Sequence, residues 1–286
     1  MDHNIVGLYS EYLQERMDRR EFIKKLSILA GGTAAANALL PFLENSEAGG
    51  AIIPKGDSRL VDEYIKYSGA TGEMRAYFSS PKGDEKLPGV VVIHEIWGLN
   101  AHIEDVTRRV ALEGFLALAP DALSATGGTP ENPNEARSLM RKLDDPSTVK
   151  NYLAAVKYLK SHPRSTGKVG CIGFCWGGGM ANQLAVNSPD LTAAVPFYGM
   201  QPASGDVPKI KASLLIHYAG IDERIDKGIP AFEEALKKAS IDYKIYMYPG
   251  AKHAFLNDTN PGRYNKEAAR LAWQRTVAFL KEKLKK

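Results

Sequence analysis

The sequence predicts an α/β domain, a mostly parallel sheet with helices on both faces. Three observations lead there. From residue 61 onward, short apolar runs of strand length alternate with longer stretches of helical periodicity. The run Val90-Val91-Val92-Ile93 is apolar without alternation, which suits a strand covered on both sides. The chain has 286 residues, 44% hydrophobic and 24% charged, enough for one large core and too short for two average domains with linkers.

The N-terminal segment reads as an address rather than as fold. Asp18-Arg19-Arg20-Glu21-Phe22-Ile23-Lys24 has the arginine pair, aromatic-aliphatic pair and trailing lysine of a twin-arginine export signal. No charge occurs from Leu26 to Leu43, a stretch rich in Ala and Gly and less apolar than a spanning helix requires. Ser46-Glu47-Ala48 offers small residues at the positions read by a signal peptidase, with cleavage before Gly49. The expectation is a signal over 1–48, a linker over 49–60 and a domain over 61–286. Its partner would be the twin-arginine machinery, its location periplasmic or otherwise exported, and its mature form free of a membrane span. An uncleaved anchor is the alternative.

The domain opens with two extended pieces, Val61 to Tyr67 and Glu73 to Ser79, around a Ser68-Gly69-Ala70-Thr71-Gly72 turn, an antiparallel hairpin. After the Val90 strand the pattern predicts a helix over 102–112, a strand over 115–119 and a helix over 149–159. A strand over 168–174, a helix over 180–186 and strands over 193–197 and 213–218 follow. A helix over 232–239, a strand over 243–248 and a closing helix over 266–284 complete the series. Residues 124–133, with paired glycines and two prolines, read as a flexible excursion able to flank a site.

Gly173-Phe174-Cys175-Trp176-Gly177, between a strand and a helix, has the spacing of the G-x-S-x-G nucleophile turn with cysteine for serine. A sulfur there lies at a helix N-terminus, where the dipole and unpaired N–H groups favour thiolate. The order nucleophile, acid, base is completed by Asp222 and His253, each following a strand. Asp226 is the competing acid, set closer to the next helix. His217 and His162 suit structural roles, and Cys171, inside its strand, reads as a core thiol. An oxyanion would be met by the backbone N–H groups of Trp176 and Ile96. Trp97 and Tyr198, with Trp176, are candidate walls of a substrate pocket.

From about Val61 onward the chain resembles the dienelactone hydrolase family of α/β-hydrolases. The resemblance rests on His94-Glu95-Ile96-Trp97-Gly98-Leu99-Asn100, Gly173-Phe174-Cys175-Trp176-Gly177-Gly178, the Gly220 to Asp222 turn and Gly250-Ala251-Lys252-His253-Ala254-Phe255. It implies hydrolysis of a small-molecule ester or lactone through a thiol acyl-enzyme, with Cys175 as nucleophile, Asp222 as acid and His253 as base. It further implies that Glu95 contacts the resting thiol and takes its proton once substrate displaces the carboxylate. Family members acting on dienelactone grip its carboxylate with arginines, one in the loop matching Pro120 to Gly127 and one just after the histidine. This sequence has Ala122-Leu123-Ser124-Ala125 in the first and Ala254-Phe255-Leu256-Asn257 in the second.

No cofactor and no metal is expected, since the sequence has no H-E-x-x-H, P-loop or dinucleotide fingerprint. Thirty-seven Lys and Arg against 33 Asp and Glu leave +4 without a basic stripe, so nucleic acid is not an expected partner. Two other classes remain to be separated from a hydrolase: a non-catalytic small-molecule binding protein on the same fold, and a thiol redox protein using Cys175.

Overall fold

The computed structural model describes residues 52–285, together with 17–33, 35–36 and residues 5, 8 and 12 of the leading segment. The expected cleavage site at Ser46 to Gly49 lies outside the described residues. Within the leading segment, helix α1 spans Arg19–Leu29, and Asp18 caps it by accepting the Glu21 N–H. No helix among the described residues is long and apolar enough to cross a membrane.

The domain is built on one eight-stranded sheet: β1 (Leu60–Gly69), β2 (Gly72–Pro81), β3 (Leu87–Ile93), β4 (Leu116–Pro120), β5 (Ser165–Phe174), β6 (Leu191–Phe197), β7 (Ser213–Ile221) and β8 (Tyr243–Lys252). Their spatial order is β1-β2-β4-β3-β5-β6-β7-β8. The β1–β2 hairpin is antiparallel, closed by the pair Gly69 and Gly72, and β2 joins β4 antiparallel. Every other pairing is parallel. The crossovers are helices α2 (Ala101–Leu112), α3 (Pro133–Met140), α4 (Asp145–Ser161), α5 (Trp176–Asn187), α6 (Glu223–Asp226) and α7 (Ile229–Lys238), and α8 (Lys266–Leu284) closes the chain.

Side chains alternating along the central strands split into two cores. Val91, Ile93 and Cys171 pack with Tyr152, Leu159, Leu184 and Phe232 of α4, α5 and α7. Val90, Val92, Ile172 and Phe174 pack on the opposite face with Ile103, Val106, Ala272 and Leu280 of α2 and α8. A strand flanked on both faces must be apolar throughout, which is why β3 reads as an unbroken run.

Two features differ from expectation. The segment expected to be a loose excursion forms a helix at its end: Asn132 accepts the N–H groups of Asn134 and Glu135, and Pro133 occupies the first turn of α3. Strands β7 and β8 also run past their predicted ends, to Ile221 and Lys252, because Ala219 pairs with Tyr248 and Ile221 with Lys252. Asp222 and His253 therefore follow paired strands directly rather than free turns.

Candidate active site

Cys175 sits between β5 and α5 at φ 55° and ψ −114°, a conformation strained for a residue with a side chain. The residues two before and two after it, Gly173 and Gly177, leave no room for a Cβ. A Cβ on Gly173 would lie 1.9 Å from the Gly177 carbonyl oxygen, and one on Gly177 would lie 2.4 Å from that of Ile93. The strand and the helix thus approach until backbone touches backbone, and the turn between them thrusts the sulfur outward. Cys171, by contrast, is buried within β5, and burial pushes its thiol up to about 12. It is in no position to resolve a disulfide with Cys175, and both cysteines are free.

His253 follows β8 directly, and its Nδ1 lies 2.5 Å from Oδ2 of Asp222, which follows β7. Burial opposes charge on this imidazole. Hydrogen bonding to Asp222 and to Cys175, and their negative charges, overcome it and push the pKa up to about 9. Asp222 and His253 thus form a bonded pair, and the sulfur of Cys175 adds to the ring's preference for charge. Asp226 supports the pair, its Oδ2 accepting the backbone N–H of Asp222 at 3.3 Å. The ring of Tyr198 lies 5.0 Å from that of His253, and Arg263 Nη1 reaches the His253 carbonyl at 3.4 Å.

The loop after β3 shares a cleft with Cys175 through Ile96. His94 fixes it from beneath: Nδ1 is 2.6 Å from the Glu95 carbonyl oxygen, and Nε2 accepts the Ala122 N–H at 3.2 Å. These partners assign the proton to Nδ1, and burial lowers the pKa, so the ring is neutral. It stacks on Trp176, with centroids 5.4 Å apart. Neither Ile96 nor Trp176 uses its backbone N–H in a hydrogen bond among the described residues. Trp176 opens α5, where that N–H has no partner within the helix.

Glu95 is 4% exposed and does not cap α2, a task taken by Asn100, which accepts the Ile103 N–H. Its Oε2 accepts from Nδ2 of Asn257 at 2.7 Å. Asn257 cannot turn its amide round, because Oδ1 already accepts the N–H and hydroxyl of Thr259 at 3.0 and 2.6 Å. Among the described residues no hydrogen bond joins Glu95 to Cys175.

A cleft of about 950 Å³ opens over the sulfur, floored by Cys175, Trp176, Ile96 and Met180. Of the expected walls, Trp176 lines it, whereas Trp97 and Tyr198 do not. Tyr198 is 1% exposed and packs behind His253, and Trp97 lies under the Arg137 guanidinium, 5.8 Å from its ring centroid. Sequence reasoning missed Asn257, read merely as the place where an arginine was lacking, and the charged rim supplied by Arg137, Arg141 and Arg224. The adjacency of Arg224 to Asp222 was the one available signal for the latter.

Comparison with known proteins shows the family. The sequence model of the dienelactone hydrolase family matches residues 74–284. The chain belongs to the dienelactone hydrolase family. Among its relatives, a protein of Saccharolobus solfataricus named as a carboxymethylenebutenolidase is 35% identical over 259 residues, 77% of this chain and 98% of that one. Protein usf of Aquifex pyrophilus is 37% identical over 224 residues, 74% of this chain and 94% of its own. Among solved structures, one named as a dienelactone hydrolase from Klebsiella pneumoniae superposes with a TM-score of 0.70 at 29% identity, covering 77% of this chain and 97% of that one. A dienelactone hydrolase-like promiscuous phosphotriesterase from metagenomic libraries gives 0.71 at 26% identity, covering 79% and 99%. This dienelactone hydrolase-type chain is therefore an enzyme and a hydrolase, on the α/β-hydrolase fold.

Proposed function

We propose that the enzyme hydrolyses a carboxylic ester or lactone through an acyl-enzyme on Cys175. The observation that carries the reading is the strained Cys175 at the head of its helix together with the bonded pair His253 and Asp222. Sγ gives its proton to His253 and attacks the acyl carbon, and the carbonyl electron pair moves onto oxygen, facing the Ile96 and Trp176 N–H groups. The tetrahedral adduct collapses, breaking the bond to the alcohol oxygen, which leaves with the proton of His253. Neutral His253 then takes a proton from water, hydroxide attacks the thioester, and the carboxylic acid departs as the thiol is restored. Asp222 holds the imidazole tautomer and its charge throughout.

The resemblance would have Glu95 take the thiol proton, and that requires its carboxylate to leave Asn257 for the sulfur. The raised pKa of His253, to which Cys175 contributes, supports His253 as acceptor. Glu95→Gln separates the two routes: it keeps most of the hydrolysis with His253 as acceptor and loses it with Glu95. For the main reading the test is hydrolysis of a chromogenic short-chain ester, with mass spectrometry to catch the acylated thiol. Wild type should turn over and acylate, while Cys175→Ala should do neither. Equal turnover in the alanine variant overturns the assignment.

Residues 1–48 we take to be a twin-arginine address for work outside the inner membrane. Changing Arg19 and Arg20 together to Lys should leave precursor in the cytoplasm, and undiminished export would refute it.

A further inference from the structure

We propose that Arg109 and Asp258 are positioning residues for His253, a tie between α2 and the loop that runs from the histidine to α8. This deepens the hydrolase reading above and rests on it. Helix α2 buries three ionisable side chains that the proposed chemistry does not use: His102, Asp105 and Arg108. Buried charges persist only with partners close at hand. Asp105 finds two in the expected linker, its Oδ1 accepting the Ile53 N–H at 2.8 Å and its Oδ2 that of Ile52 at 3.2 Å. Arg108 Nε donates to the Ile53 carbonyl at 2.7 Å. Residues 52 and 53 are thus docked on α2, and they hold the Asp105 carboxylate still.

Arg109 shares a helix face with His102 and Asp105, three- and four-residue steps apart. Its Nε lies 2.8 Å from Asp105 Oδ2, and its Nη2 reaches on to Asp258 Oδ2 at 2.6 Å. His102 Nδ1 stands 3.2 Å from the other oxygen of Asp258. One guanidinium therefore bridges two carboxylates that would repel each other without it, in a place where solvent and salt screen little. The loop needs such a tie. Ala254, directly after His253, has φ 64°, a left-handed conformation that persists in a residue with a side chain only where the surroundings fix it. Turns inside the loop are local, as where the Asn257 N–H meets the Ala254 carbonyl at 3.0 Å. Two adjacent side chains carry it outward, Asn257 to Glu95 and Asp258 to α2. With Asp258 released, Ala254 can relax, and the imidazole one residue before it moves off Asp222.

Asp258→Asn and Arg109→Gln, singly and together, test this with 4-nitrophenyl butyrate as substrate. Each single variant should lose roughly tenfold in kcat with KM within about twofold, and the double variant should fall little further, since either change cuts the same tie. Thermal melts give the folded fraction at the assay temperature. Arg109→Lys, which keeps the charge without the fork, should retain more activity than Arg109→Gln. The His253 Cε1 proton supplies a readout that stability alone does not move. Direct electrostatics would shift its midpoint of about 9 down in Asp258→Asn and up in Arg109→Gln, whereas a loosened imidazole drops toward 6.5 in both. Full kcat in folded Asp258→Asn, a loss no larger than the unfolded fraction, or midpoints that move apart would overturn the proposal alone. Hydrolysis that Cys175→Ala retains in full would overturn the hydrolase reading, and this proposal with it.

Discussion

Asp222→Asn replaces a carboxylate by an amide of the same size against Nδ1 of His253, and the consequence can be worked out. In the folded enzyme the imidazole titrates at about 9, against 6.5 for an ordinary histidine. That gap of about 2.5 units corresponds to roughly 3 kcal/mol of preference for the charged ring, shared between Asp222 and Cys175. Because the folded value is the higher one, this stabilisation is complete below about pH 6.5 and vanishes as pH rises through about 9. Without the carboxylate, burial of the ring is opposed by Cys175 alone, and the pKa should fall by at least about a unit. Urea unfolding should find Asp222→Asn destabilised by roughly 1–3 kcal/mol at pH 6 and by much less at pH 10. Ester kcat at neutral pH should drop by about 10³ to 10⁴, since the amide no longer holds the required tautomer. An NMR titration of the His253 Cε1 proton follows the shift directly. A wild-type midpoint at or below about 6.5, or a stability deficit independent of pH, would refute the reasoning.

Gly177→Ala should destabilise the fold by about 1–3 kcal/mol and depress esterase activity, because the new Cβ meets the Ile93 and His94 carbonyl oxygens at 2.4 and 2.5 Å. Gly179→Ala, whose nearest atoms lie 3.6 Å away or more, should unfold thermally at or above the wild-type temperature. Asn257→Leu strips the buried Glu95 carboxylate of its amide donor and should cost about 1–3 kcal/mol. Adding Glu95→Gln should recover part of that loss in denaturant titrations. His217, between Tyr248 and Thr276, is held neutral by burial down to about pH 3. The unfolded chain binds that proton near pH 6.5, so stability should be lost as pH falls from 6.5 toward 3, by roughly 4 kcal/mol from this residue alone. His217→Gln should flatten the acid limb of a fluorescence titration.

The sheet was legible wherever local pattern and burial say the same thing. Val90 to Ile93 is apolar because both its faces are covered, and the elbow glycines are forced by contacts between neighbouring segments of backbone. Ser68 to Gly72 marked its hairpin for the same local reason. Legibility failed where the deciding partner is remote. Gly220 resembles a turn residue, yet a Cβ there would lie 2.7 Å from the Tyr248 carbonyl oxygen, so the position serves strand pairing. Helix α3 was hidden by Pro133, which breaks a helix in mid-course and starts one when preceded by a capping Asn. In the site, the strained turn at Cys175 and the pairing of Asp222 with His253 follow the order and spacing in the sequence. The bond between Glu95 and Asn257, separated by 162 residues, was not legible, nor was the convergence of Arg137, Arg141 and Arg224 on one cleft.

The left-handed backbone at Cys175 sets activity and robustness against each other. A side chain at φ 55° costs on the order of 1–3 kcal/mol, and glycine would relieve most of it. At this one position the residue that folds best is the residue that does nothing. Selection for thermal endurance alone would erase the sulfur, so its presence marks a turn kept for something other than stability, with the rest of the sheet holding the strained backbone in place.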